Sequence, residues 1–358
     1  MFYIEKIELT QFRCYKSAWF TFSPTKNIIY GNNASGKTSL VEGIHCLGIG
    51  KTFKNAKDSD LVKKTNAFMS VKAQIVDDRG QQTVLFAYDG QTKQITKNNK
   101  PYKRLSEYLG YFNVVVFSPD DLELIKGSPS ERRRFLDVNI GQIDHEYLES
   151  LIRFKKILKE RNEYLKNASE QLASDPFLGV LDTSLIEQSR TIIERRNAFV
   201  EELNRVVRPI NSQLSAEKEQ LEVVYAPNCP SNQLDARAKE RHHYDLSVHQ
   251  TTWGPSRDDL MFLVNGTNAE VFSSQGQIRT AALSIKLALA EMFKQRGNNM
   301  IVILDDVLSE LDITRQNEVL KMLDPDKQTF ITTTSIEHIS QELLKDSQLI
   351  QIRGEHHE

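Results

Sequence analysis

The eight residues Gly31, Asn32, Asn33, Ala34, Ser35, Gly36, Lys37 and Thr38 constrain this chain more than any other stretch of it. They fit the spacing G-x-x-x-x-G-K-[ST] and follow the strand-like NIIY. They also open GKTSLVEGIHCLGIG, in which Leu40, Val41, Ile44 and Leu47 recur at helical spacing. Strand, glycine loop and helix in this order let successive backbone N–H groups turn toward phosphate oxygens, with the positive end of the helix behind them. Lys37 then reaches the β- and γ-phosphates, and the Thr38 hydroxyl ligates Mg²⁺. A chain built on this unit is expected to be α/β.

A phosphate loop alone does not name a reaction. The second element is IVILDD, where the apolar run Ile301 to Leu304 ends in Asp305 and Asp306. A buried strand that delivers a carboxylate at its C-terminal end suits the metal, so Asp305 is the metal-side acid and Asp306 the residue that polarises an attacking water. Lys37 and Asp305 stand 268 positions apart (305 − 37), too far for a small kinase, and no NKxD guanine-reading element occurs. A large insertion therefore separates the halves of one nucleotide site. Its texture is helical over residues 130–220, with Leu151, Phe154, Leu158 and Leu165 forming one stripe and a second helix expected to end near Pro209. Before the insertion, FYIEKIEL, AWFTF, NIIY, MSVKAQIV and TVLFAYD read as a strand meander around one parallel element. After it, strand texture resumes from Trp253, followed by SIKLALAEMFK, a helix apolar nearly all round, and the strands IVILDD, FITTT and LIQIR.

At 358 residues and 39% hydrophobic composition the chain can bury a substantial core in two structural units. A net charge of −2 excludes a protein held to nucleic acid by global charge and leaves only local basic patches. Cys14, Cys46 and Cys229 lie far apart without CxxC spacing, which argues against a disulfide framework or thiolate metal site and fits a reducing cytoplasm. The N-terminal MFYIEKIELT lacks the form of a signal peptide, and no run of about 18 apolar residues occurs, so no membrane attachment is expected.

In VFSSQGQIRTAALSIKLALA, Ser274, Gly276 and Gln277 stand at the start of the buried helix, where free N–H groups and a hydroxyl suit an anion or an ordinary helix cap. Taken with the phosphate loop, the Asp-Asp strand end and Ser309-Glu310-Leu311-Asp312, this constellation resembles the ABC-type ATPase heads of the SMC and double-strand-break-repair class. The resemblance implies an SMC-like phosphate-loop head of mixed sheet and helices with an inserted α-helical lobe. Residues 1–125 and 246–358 would form the two halves of the head, and 126–245 the lobe. In such proteins the signature of one subunit covers the γ-phosphate held by the other, so ATP joins two heads and hydrolysis releases them.

Within that class the chain resembles the RecF family over its whole length. The segment PDDLELIKGSPSERRRFLD (Pro119 to Asp137) carries most of the likeness, with TQFRCY around Arg13 and WGPSRDDL around Arg257. The family implies ATP and Mg²⁺ as cofactors, with the 31–38 loop, Arg13, Ser274, Gly276 and Gln277 at the nucleotide and Thr38 and Asp305 at the metal. It gives Lys37, Asp305 and Asp306 catalytic roles in a weak, DNA-stimulated ATPase. It also implies an ATP-dependent homodimer that clamps DNA, either single-stranded or duplex at gap junctions. RecR and RecO would act as mediators in loading RecA, supporting repair, replication restart and the SOS response.

The chain departs from these patterns at several positions. Asp306 stands where many ABC ATPases have glutamate, and its shorter reach implies slow turnover. Thr333 and Thr334 occupy the place of the transporters' switch histidine, with His338 just beyond read as a surface residue. No glutamine follows VVVF, and Ser256 stands where this family is expected to carry histidine. Candidate DNA contacts are Lys51, Lys54, Lys57, Lys97, Lys100, Lys103, Arg104, Arg132, Arg133 and Arg134, with Arg132 and Arg133 alternatively packed against the nucleotide-binding lobe. A small-molecule phosphate-loop kinase and a non-hydrolysing DNA-binding scaffold remain the alternatives.

Overall fold

Period-two alternation, as in Met69, Val71, Ala73 and Ile75, gives the first hundred residues a buried face. In the computed structural model, which describes residues 1–54, 56–64, 66–167, 176–311, 313–337 and 339–353, these segments belong to the first of two compact units. That unit comprises Met1–Asp121 and Leu283–Glu358; the second comprises Leu122–Ala282.

The first unit holds two sheets. The strands β1 (Tyr3–Phe12), β2 (Tyr15–Thr21), β4 (Met69–Asp77), β5 (Gly80–Tyr88), β6 (Lys93–Lys97) and β7 (Lys100–Pro101) form a six-stranded antiparallel sheet in the order β2-β1-β4-β5-β6-β7. The strands β3 (Lys26–Tyr30), β8 (Asn113–Phe117), β12 (Met300–Asp305), β13 (Gln328–Thr333) and β14 (Ser347–Gln351) form a parallel sheet in the order β14-β3-β13-β12-β8. Strands β8, β12 and β13 are buried at every position, which is why VVVF and MIVIL read as apolar runs without alternation, while β13 (QTFITT) buries threonines among its apolar residues. The helix α1 (Lys37–Ile49) packs on strands of both sheets and buries Leu40, Val41, Ile44 and Leu47, each contributing about 1.5–3 kcal/mol. Buried Gln328 ties the sheets together: its Oε1 accepts from Ile4 N at 2.8 Å, and its Nε2 donates to Ile4 O and Ser23 O, each at 2.8 Å. Shorter helices, α2 (Leu105–Tyr108), α10 (Ile313–Met322) and α11 (Gln341–Lys345), complete the unit.

The second unit holds α3 (Glu123–Lys126), α4 (Pro129–Gly141), α5 (His145–Asn167), α6 (Pro176–Leu214), α7 (Leu234–Val248) and α8 (Ala269–Phe272). Its antiparallel sheet is β11-β10-β9, from β9 (Leu221–Ala226), β10 (Asp259–Val264) and β11 (Thr267–Asn268). The stripe expected on α5 is its packing face, with Leu151, Phe154 and Leu165 buried and Leu158 half-buried. Helix α6 does not end near Pro209 but runs through it to Leu214. Proline removes one backbone bond there, yet Val207, Asn211 and Leu214 continue the buried face against β9, and that packing outweighs the loss. The long helix α9 (Gln275–Gln295) begins in this unit and continues in the first; Ile285, Leu287, Ala288, Leu289, Met292 and Phe293 are buried, as its sequence requires.

The units divide at 121/122 and 282/283, whereas the sequence placed the boundaries at 125/126 and 245/246. The second boundary moves because β10 pairs along its whole length with β9, so the segment after residue 245 stays with the helices. Among the described residues no helix is long and apolar enough to cross a membrane.

Candidate active site

The 31–38 loop runs from the end of β3 into α1. At Gly31 (φ 157) a Cβ would stand 2.2 Å from Ile352 O, a backbone atom fixed because Ile352 N donates to Tyr30 O at 2.8 Å. Gly31→Ala is therefore expected to displace the loop and weaken ATP binding at least tenfold, as read by titration calorimetry, with the fold retained. Gly36 (φ 111) caps α1 in the left-handed region, and Tyr15 O–H donates to its carbonyl at 3.1 Å. Ala34 is also left-handed (φ 62), a strain of roughly 1–2 kcal/mol held at the tip of the loop.

Lys37 is 7% exposed, and its Nζ donates to Gly31 O at 2.7 Å and Asn32 O at 2.8 Å. Burial draws its pKa below the ordinary lysine value, while the charges of Asp306 and Asp305 pull it back up. Ser35 Oγ is buried in the same loop without a hydrogen-bond partner. A buried cation resting on neutral carbonyls, beside an orphaned hydroxyl and the free amides of a helix start, fits a polyphosphate.

Asp305, at the end of β12, is 5% exposed. Its Oδ1 accepts from Thr38 Oγ1 at 3.0 Å and from Thr332 Oγ1 at 2.7 Å. Burial raises its pKa, and the hydrogen bonds from Thr332 and Thr38 oppose the rise. A buried carboxylate touching the loop threonine suits a divalent cation, which would supply the missing positive charge. Asp306 takes the left-handed conformation (φ 57); its N–H donates to Thr332 Oγ1 at 3.0 Å. Ser309 Oγ donates to Asp306 O at 2.7 Å and Oδ1 at 3.0 Å. Thr332 thus positions both acids, a role the sequence reading missed. The available signal was register: Thr332 lies opposite Asp305 in adjacent buried parallel strands.

Other expected residues are placed differently. Arg13 forms a bidentate pair with buried Glu42 of α1, Nε to Oε2 at 2.7 Å and Nη2 to Oε1 at 2.6 Å, and Nη1 donates to Asp60 O at 2.8 Å. Its described contacts brace α1 and include none with the loop. Where glutamine is missing after β8, Asp121 Oδ1 meets Lys286 Nζ at 2.8 Å, and that ammonium also donates to Val116 O at 2.8 Å.

Arg132 is 4% exposed and clamps Asp259, Nε to Oδ1 at 2.6 Å and Nη2 to Oδ2 at 3.0 Å, so it is an internal brace and not a DNA contact. Arg133 donates to Asp258 O at 2.9 Å, and Lys97 lies 3.6 Å from the Tyr111 ring centroid. Of the remaining candidates, Lys51, Lys57, Lys100, Lys103 and Arg104 are exposed, and Lys54 and Arg134 are half-buried.

Ser274, Gly276 and Gln277 belong to the second unit. Ser274 and Gln277 form a capping box: Gln277 N donates to Ser274 Oγ at 3.3 Å, and Ser274 N donates to Gln277 Oε1 at 2.9 Å. Gly276 is exposed, and a Cβ there would meet only Ser274 Oγ, at 3.9 Å. Glycine in a helix costs about 1 kcal/mol relative to alanine, and among the described residues no contact accounts for its choice. Asp312, His338 and the Glu310 side chain lie outside the described residues.

The profile of the RecF/RecN/SMC N-terminal domain family matches residues 3–357. A protein of Halalkalibacterium halodurans called DNA replication and repair protein RecF is 37% identical over 361 residues, covering 98% of this chain and 97% of that protein. A solved structure described as the recombination mediator protein RecF with ATP in the RecFOR pathway superposes with a TM-score of 0.89 at 35% identity, covering 95% of this chain and 94% of that one. The Smc head domain of Pyrococcus furiosus shares the fold, with a TM-score of 0.55 at 17% identity over 99% of this chain and 94% of that one. The ABC-type, SMC-like head expected from the sequence is thus the fold observed, and the chain belongs to the RecF family.

Proposed function

We propose that this chain binds ATP and Mg²⁺ at the 31–38 loop, pairs with a second copy around two nucleotides, and clamps DNA until slow hydrolysis releases it. The observation that supports this best is the meeting at one loop of a buried lysine, an orphaned serine hydroxyl and an aspartate bonded to Thr38 from 267 positions away. Bound Mg²⁺ would supply charge neutralisation on the β- and γ-phosphate oxygens. Thr38 and Asp305 would hold it, Lys37 would exchange loop carbonyls for phosphate oxygens, and Asp306 would orient the attacking water. An aspartate reaches one methylene less than a glutamate, which favours a timed clamp over a motor.

Gly276 supports the dimer. An exposed helix-start glycine without an internal reason is what close approach of a partner's phosphate requires. The Ser274 hydroxyl accepts from Gln277 N in the cap, which leaves its own O–H to donate across the interface. The RecF relatives are named for DNA replication and repair, and we assign this chain the same work: cytoplasmic, DNA-stimulated, acting with RecR and RecO to load RecA at gaps during repair, replication restart and the SOS response. A metabolite kinase would instead show turnover stimulated by a small acceptor and indifferent to DNA.

Sedimentation tests the central claim. The wild type is expected to sediment as a dimer with ATP and Mg²⁺ and as a monomer without them, while Ser274→Arg stays monomeric throughout with its helical circular dichroism intact. A wild type that is monomeric in every condition removes the mechanism.

A further inference from the structure

The outer face of the six-stranded sheet carries an aromatic ring that the fold does not use. Trp19 in β2 is 67% exposed, whereas the other tryptophan, Trp253, is 0% exposed. An indole carries a large apolar surface with a polar handle and is enriched where proteins make contacts, so one left open on a rigid strand is a candidate contact surface when its neighbours supply a matching chemistry. Strand β2 is the sheet's edge, so Trp19 is reached without crossing a neighbouring strand.

The surroundings of the ring indicate what covers it. Directly opposite Trp19 on β1 is Glu8, and opposite Glu8 on β4 is Lys72. Lys6 Nζ lies 5.4 Å from the Trp19 ring centroid and 2.8 Å from Glu8 Oε1, and Lys72 Nζ is 3.8 Å from Glu8 Oε2. Two ammonium groups share one carboxylate, so the patch is net positive, and each ammonium has further N–H groups to offer. A protein partner anchored on a tryptophan needs an apolar ring around it to exclude water, and here the flanking positions on β1 are Lys6 and Thr10. One flat aromatic among cations is instead the arrangement that binds a nucleic acid strand, with a base on the ring and phosphates on the lysines.

We propose that Trp19 stacks an unpaired DNA base while Lys6 and Lys72 hold the adjoining phosphates, so that this face selects single-stranded DNA over duplex. The inference rests on the DNA-binding part of the proposed function and assigns it a site. Bases within a duplex are already stacked on one another, so only a displaced or single-stranded nucleotide reaches the ring.

The two tryptophans make the test direct. Full-length protein with ATP and Mg²⁺ is titrated with a labelled oligothymidylate or a blunt duplex of equal length, with anisotropy and intrinsic fluorescence followed together. Tryptophan emission is expected to be quenched along the same isotherm as oligothymidylate anisotropy. Trp19→Phe, which leaves only Trp253, is expected to abolish that response. Trp19→Ala is expected to weaken oligothymidylate binding roughly five- to 150-fold with an unchanged salt slope and near-normal duplex binding. Lys72→Ala is expected to lower the salt slope by about one. Flat emission beneath a rising anisotropy, or a Trp19→Ala variant that binds like wild type, overturns the inference and leaves DNA binding standing. An absence of any anisotropy change removes DNA binding and this site with it. Emission that responds to a mediator protein and not to oligothymidylate makes the face a protein contact and also overturns it.

Discussion

Asp306→Asn is expected to leave ATP binding intact and lower turnover by about two to four orders of magnitude, whereas Lys37→Ala is expected to lose both. Asp306 sits at φ 57, a region that asparagine tolerates as well as aspartate. The backbone bond from Asp306 N to Thr332 survives the change, as does the side-chain oxygen that accepts from Ser309. What disappears is the negative charge that would polarise a water, an interaction made in the transition state and not in the ground state. Such a loss falls on kcat with KM nearly unchanged. Lys37 differs because its ammonium touches the loop itself, 2.7 Å from Gly31 O and 2.8 Å from Asn32 O, so removal weakens the nucleotide in every state. Single-turnover hydrolysis separates the two variants, and equal rates for wild type and Asp306→Asn would refute the assigned role.

The contrast between these residues also shows what was legible in the chain before its structure. Lys37, Thr38 and Asp305 could be placed because each follows a short, local pattern: a glycine loop before an apolar helix, or an apolar strand that ends in acids. The strands β1 to β5 were readable for the same reason, since a half-buried sheet alternates at period two and a covered parallel strand does not alternate at all. Pairings between distant segments leave no local trace. Arg132 and Asp259 meet across 127 positions, so the basic run around Arg132 leaves open whether that arginine is exposed or packed, and gives no hint of its carboxylate partner. Arg13 pairs with Glu42 of α1 across 29 positions, and neither residue signals the other in the sequence. Pro209 read as a helix end because the local rule is sound, and packing of α6 on β9 overrode it. The strand β9 was missed because only its pairing with β10 makes LEVVYA a strand.

That same family segment, Pro119 to Asp137, leads to the largest stability effect expected here. Arg196→Leu is expected to destabilise the second unit by about 3–5 kcal/mol. The guanidinium is 2% exposed and donates from Nη1 to Asp258 Oδ2 at 2.8 Å and Pro255 O at 2.9 Å, from Nη2 to Asp137 Oδ1 at 2.9 Å, and from Nε to Tyr147 Oη at 3.1 Å. Asp258 is fully buried and also accepts from the Tyr225 hydroxyl and from Asn228 N, so it cannot turn out to solvent when its cation is removed. Leucine fills part of the volume and leaves two carboxylates facing one another, and the uncompensated charge dominates the cost. The effect depends on pH. Burial alone would raise the Asp137 pKa, but the charges of Arg196 and Lys155 outweigh it and hold the group below its ordinary value. A carboxyl depressed in the folded state contributes stability that is present above its unfolded pKa, about 3.9, and is lost as pH falls through the folded value. The deficit of Arg196→Leu should therefore be greatest near neutrality and shrink below about pH 4, as the carboxyls protonate. Urea unfolding followed through Trp253, buried in the same unit, in a Trp19→Phe background reads this directly. A neutral-pH loss below about 1 kcal/mol, within the range of exposed ion pairs, would show that the cluster is solvated and its burial inconsequential.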